Sequence, residues 1–143
     1  MRKLTLPLLA TLLLAGCAST PEAKPEAGQN LLGSWRLTEI AGHAIALPEA
    51  RIQFDDENRA VSASLGCNRI FGRYQLQQDR LTLSPPATTL MACADPEISQ
   101  LEQRLSRALQ AVDGGSYRIE NGALLLQTPD GMTVLKAQRQ TNP

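Results

Sequence analysis

Three cysteines, a single histidine and a polar cluster around "GCNRIFGRY" (66–74) are the parts of this 143-residue chain with obvious chemical potential. Cys67 and Cys93 stand too far apart for a redox couple of the Cys-x-x-Cys type, whose close spacing accompanies a lowered thiol pKa. A metal site needs about four ligands, and beyond the two sulfurs the chain offers His43 as its only histidine. Hydrolysis calls for a nucleophile beside a base. His43 lies in "AGHAIAL", read as a loop before the second strand, with no partner recognisable in the sequence. Asp55 and Asp56 fall in the turn "DDENR" and read as solvent-exposed carboxylates rather than tuned ones. Asn68, Arg69 and Arg73 flank a turn, and Thr88 and Thr89 come shortly before Cys93, so these five could form a polar patch for a carboxylate or a peptide backbone. The plainer reading is preferred: Asn68 satisfies the turn, the threonines bond to backbone, and the arginines are solvated. No enzyme, cofactor or metal is expected.

The amino terminus sets the compartment. Arg2 and Lys3 precede an apolar run from Leu4 to Leu14, which gives way to small residues as secretory signals do. The run is well short of the about 20 residues a spanning helix needs. At its end "LLAGC" resembles the bacterial lipobox, in which cleavage precedes a cysteine that carries diacylglycerol. That resemblance implies a signal peptide over 1–16 and lipidation of Cys17, with several acyl chains holding the protein on a membrane. Alanine rather than aspartate at position 18 implies delivery to the outer membrane, with the domain facing the periplasm. Losing Arg2 and Lys3, and no acid, leaves a slightly acidic mature chain, which gives no reason to propose nucleic acid as a partner. In an oxidising periplasm, with Cys17 taken by lipid, Cys67 and Cys93 remain as a structural disulfide. Closing that loop stabilises by about 3.5 kcal/mol in the chain-entropy model.

The elements that position these residues follow from periodicity. Residues 17–30, rich in Pro, Ala and Glu, have nothing large to bury and read as a flexible lipidated tether. The domain spans 31–137, with 138–143 as a tail, one domain's length. Alternation places Trp35, Leu37 and Glu39 on one face of "SWRLTEI", Ile52 with Phe54, and Val61 with Ala63 and Leu65. "ENG" (120–122) and "TPDG" (128–131) carry reversing chemistry between apolar runs, so a meander of antiparallel hairpins follows. "PEISQLEQRLSRALQAV" breaks the pattern, with Ile98, Leu101, Leu105, Ala108, Leu109 and Val112 on one helical stripe. Asp95 caps this helix, Pro96 suits its first position, and Gly114-Gly115 ends it. In "VSASL" the apolar residues are odd-numbered, whereas Ile70, Tyr74 and Leu76 beyond the cysteine are even-numbered, so the chain changes facing between Cys67 and Ile70. Gly66 and Asn68 tolerate left-handed angles there, and Gly72 lets the next strand bend.

"GCNRIFGRY", then "ATTLMAC", then a helix containing Glu102 together resemble the META domain family, which includes heat-shock lipoproteins, over about Leu31 to Ala137. Ile70 stands where that pattern leads one to expect an aromatic. The resemblance implies a mostly β fold: a small antiparallel lipocalin-like β-barrel or curled sheet with one amphipathic helix (about 95–112). It also implies an envelope lipoprotein linked to heat stress and antibiotic tolerance. The function expected is a non-catalytic interaction or support module, monomeric, partnered by the membrane through its anchor and by other envelope proteins. A carrier of a small apolar ligand in the barrel mouth is the alternative, and a hydrolase using His43 the third reading. A cavity of about 300 Å³ or more would favour the carrier.

Overall fold

The alternating segments become strands because each can bury one face, and their pairing is visible in a computed structural model that describes residues 30–140. The expected signal peptide, Cys17 and all but the last residue of the 17–30 segment lie outside the described residues. In chain order the elements are β1 (Gly33–Ile40), β2 (His43–Ala44), β3 (Arg51–Asp55), β4 (Ala60–Ser64), β5 (Arg69–Gln77), β6 (Arg80–Leu83), β7 (Ala87–Thr88), α1 (Pro96–Val112), β8 (Gly115–Glu120), β9 (Ala123–Gln127) and β10 (Thr133–Arg139). All pairings are antiparallel. They run β10-β9-β8-β6-β5-β4-β3-β1, and β10 pairs back onto β1 from Trp35↔Arg139 to Ile40↔Leu135. The result is a closed eight-stranded antiparallel barrel with one helix, a mostly β fold. Closure leaves those eight strands without the free edges that invite aggregation. The two short strands are accessories, β2 on β1 and β7 on β5.

Inward residues of every barrel strand meet in one core, with Trp35, Phe54 and Tyr74 its largest members. Phe54 and Tyr74 meet edge to face at 5.4 Å between centroids, a geometry favoured by the ring quadrupoles. Where the chain enters, the Trp35 indole donates to the Leu31 carbonyl at 2.8 Å, and the Arg139 guanidinium lies 4.1 Å from the Trp35 ring centroid. Arg139 also donates to the carbonyls of Leu32 and Asn30. β10 therefore extends beyond position 137, and Gln138 and Arg139 belong to the closing strand rather than to a tail.

α1 has the limits its caps dictate. The Asp95 carboxylate accepts from the Glu97 amide at 2.8 Å, Pro96 is the first helical residue, and Gly114 turns the chain out at φ +76°. Its last turn is fastened to β6, with Gly114 N donating to Leu81 O (3.0 Å) and Leu83 N to Asp113 Oδ1 (2.9 Å). Leu105, Ala108, Leu109 and Val112 join the barrel core. The helix thus lies across one end of the barrel, beside the end of β6 and the starts of β5 and β8. The chain enters at the other end, next to Trp35.

Three local expectations change. Glu39 does not share the inner face of β1: a bulge between Leu37 and Glu39 shifts the register, so Ile40 points inward and Glu39 pairs with Lys136 Nζ at 2.8 Å. Asn68 does not adopt a left-handed angle, whereas Gly66 does, at φ +115°. Gly72 stays within an unbroken β5, and what its missing side chain permits is approach of Ser84, whose Oγ lies 3.0 Å from where a Cβ would stand.

Candidate functional site

The facing switch between β4 and β5 is where the chain concentrates its polar bonding. Cys67 and Cys93 are joined by a disulfide, with a Cα separation of 5.9 Å, and Cys93 lies two residues before the helix cap. Beside them Asn68 is buried, and both ends of its amide are used. Its Oδ1 accepts from Thr89 Oγ1 (2.9 Å) and Met91 N (2.8 Å). Its Nδ2 donates to Glu102 Oε2 (2.8 Å), with Cys93 Sγ at 3.2 Å and Met91 O at 3.4 Å. The main-chain amide of Asn68 donates to Glu102 Oε1 at 2.6 Å, and its carbonyl accepts from Ser64 Oγ at 2.9 Å. Buried polar groups are costly unless paired, and here one side chain binds a loop, a helix and the disulfide together.

Glu102 is the residue that sequence reasoning passed over, naming it only within the family pattern. It is 6% exposed, and it interrupts the apolar stripe at the position between Ile98 and Leu105 that faces the core. A lone acid inside such a stripe was the available signal, since it needs donors to be tolerated there.

The five residues of the expected polar patch divide. Asn68 and Thr89 form the internal network, and Thr89 also ties to Arg69: Arg69 N donates to Thr89 Oγ1 at 3.0 Å, and Thr89 N to Arg69 O at 3.1 Å. Thr88 is exposed on β7 opposite Ile70, while the side chains of Arg69 and Arg73 lie on the outer barrel surface. His43 is not in a loop but in β2. Its Nε2 stands 2.9 Å from Arg104 Nη1, a cation rather than the nucleophile or carboxylate of a hydrolytic pair. Asp55 Oδ1 accepts from Asn58 N and Asp56 pairs with Arg59, as turn residues do. The sulfurs of Cys67 and Cys93 and a Glu102 oxygen lie within 4.8 Å of one another. The disulfide commits both sulfurs to each other, so this form offers a metal no thiolate.

The interior and the surface differ sharply in available space. Under Leu109, between Val61, Ala63, Ile70 and Leu83, the apolar gap is about 10 Å³, room for roughly one water and far below the about 300 Å³ of a small-ligand site. Outside, an open groove of about 440 Å³ runs between Thr88–Ala92 and the α1 residues Ser99, Glu102, Gln103 and Ser106. Leu90 and Met91 stand on its rim, 97% and 63% exposed.

Taken together, the fold and its bracing define a small closed antiparallel barrel, covered at one end by a single helix and stapled by a disulfide at that helix's entrance. The META domain pattern matches residues 29–141, and the chain belongs to the META domain family. It is 28% identical over 130 residues to heat shock protein HslJ of Escherichia coli (strain K12), covering 90% of each chain. An NMR structure of a protein from Burkholderia xenovorans is 28% identical and covers 93% of this chain and 100% of its own, with TM-score 0.58. A second NMR structure is 27% identical and covers 74% of this chain and 87% of its own, with TM-score 0.56.

Proposed function

We propose that this META domain is a non-catalytic module of the bacterial envelope, anchored by lipid on Cys17 at the outer membrane and acting by contact with other envelope proteins under stress. The observation that carries the reading is the segment 88–92. Asn68 fastens it through Thr89 and Met91, yet it leaves Leu90 and Met91 largely in solvent. Large apolar side chains held outward on a bonded loop cost solvation without adding to the core, which suits a contact surface. Among the described residues Trp35, Phe54, Tyr74 and the inward leucines pack the barrel into one buried core, which supports contact rather than carriage. The heat-stress context comes from the name of the E. coli relative. Among the described residues no helix is long and apolar enough to cross a membrane.

Site-specific photo-cross-linking in intact cells tests the reading. A cross-linker at Leu90 should capture a defined envelope protein, more strongly at raised temperature, and one at Glu120 on the far turn should not. No adduct above background from position 90, at either temperature, would remove the proposal. The anchor has its own test: Cys17→Ser should move the protein from the membrane to the soluble fraction.

A further inference from the structure

The outer surface of the barrel carries a separate feature. Arg36 on β1 lies opposite Arg51 on β3, Arg51 opposite Ser64 on β4, and Ser64 opposite Arg69 on β5. One transverse row therefore presents three outward guanidiniums across about 14 Å, three strand spacings. Further along the same face of β5 come Phe71, 46% exposed, and then Arg73. All four arginines are exposed, and among the described residues none of them is paired with a carboxylate, unlike Arg59, Arg118 and Lys136. The acids of these strands are engaged elsewhere: Glu39 with Lys136, and Asp55, at the opposite end of β3 from Arg51, with the Asn58 amide. In a chain with 14 basic and 14 acidic residues, this is a segregation of charge.

We propose that this face lies against an anionic phospholipid surface. Each cation held at such a surface is attracted by about 1 kcal/mol, and a half-exposed aromatic among cations suits headgroup depth. A row spread over several strands, beside an open depression of about 680 Å³ rather than a walled pocket, matches a broad charged plane better than one acidic side chain. The described chain begins at Asn30, three residues before β1, and the 13 residues 17–29 could span at most about 45 Å if fully extended. A lipid on Cys17 would keep the face within reach of the bilayer, so the inference rests on the proposed anchor for proximity but not for binding.

The test uses the chain from residue 17 onward with Cys17→Ser, whose core lies wholly within Leu31 to Ala137. It is sedimented with vesicles of phosphatidylcholine alone and with vesicles one-third phosphatidylglycerol, at low and high salt. Binding is expected to the anionic vesicles only, and to be lost at high salt. Arg→Gln at 36, 51 and 69 together should weaken it about 100-fold, roughly fivefold per arginine, the ratio that about 1 kcal/mol per cation implies. Arg118→Gln, on β8 across the barrel, should change it little, and unchanged thermal melts certify the fold of each variant. The proposal is overturned if anionic vesicles are not bound, if neutral ones bind equally, or if the triple variant binds as tightly. Binding of polyglutamate without binding of vesicles would replace the bilayer with an acidic protein. Because the chain tested carries no lipid, any of these results leaves the Cys17 anchor to its own test.

Discussion

Glu102 receives two hydrogen bonds from one residue, Asn68, through its main-chain amide at 2.6 Å and its side-chain amide at 2.8 Å. The pair links the turn that reverses the facing of β4 and β5 to the middle of α1. Both partners are buried, so each depends on the other for satisfaction. Glu102→Gln sets an amide N–H₂ against one of the two Asn68 donors and leaves a buried donor unmet. Stability should fall by about 1–3 kcal/mol, visible as a lower urea midpoint with unchanged slope. An unaltered midpoint would contradict the role assigned to this contact.

The disulfide and this pair brace the same region by different means. Reduction should lower stability by about 3.5 kcal/mol in the chain-entropy model while leaving the barrel folded, since neither strand closure nor the Asn68–Glu102 bonds involve covalent sulfur. Alkylation should add mass to Cys67 and Cys93 only after reductant is supplied, and far-ultraviolet dichroism should survive the treatment. Loss of all structure on reduction would mean that the staple is not an addition to the fold but a condition of it.

Gly115 is demanded by space rather than by turn geometry. A Cβ there would stand 2.0 Å from the Gln127 carbonyl oxygen and 2.9 Å from that of Val112. Gly115→Ala must move backbone where α1 passes into β8, and should cost about 3 kcal/mol, the upper part of the overpacking range. Gly122 has a positive φ, +77°, but nothing within 4 Å. Gly122→Ala should cost only about 1 kcal/mol. Thermal melts of the two variants side by side decide it, and equal losses would refute the steric account.

Among the described residues the buried Tyr74 hydroxyl has no hydrogen-bond partner, and burial pushes its pKa above 10.0, tempered by the nearby Arg59 guanidinium. A raised folded-state pKa means that the folded protein retains the proton which the unfolded chain releases above pH 10.0. Stability is therefore full below that pH and declines as pH rises through the folded value. Tyr74→Phe should cost nothing at neutral pH, because an unpaired buried hydroxyl contributes no bond, and should flatten the alkaline slope. Denaturant titrations at neutral pH and above pH 10 measure both effects.

Much of this architecture was legible along the chain. Asp95 and Pro96 announce a helix start, and Asn121-Gly122, whose positive φ angles of 51° and 77° suit a two-residue reversal, announces a hairpin. The strand faces around Ile52, Phe54, Val61, Ala63, Ile70 and Tyr74 follow from alternation. Other features carry weak local marks. The β5–β6 reversal places Gln78 at φ +61°, a residue type that does not advertise a turn, and the bulge before Glu39 becomes necessary only when β1 must pair with β10.

Periodicity and turn chemistry determined which residues could form strands and helix, because those preferences act over a few neighbouring residues. The tertiary structure decided the rest. Closure through Trp35↔Arg139 joins the two ends of the domain, Glu102 finds its donors on a distant turn, and Arg36, Arg51 and Arg69 form a row only once four strands lie in register. Such partners are chosen by the three-dimensional path of the backbone, and spacing along a sequence holds no record of which segments that path brings side by side.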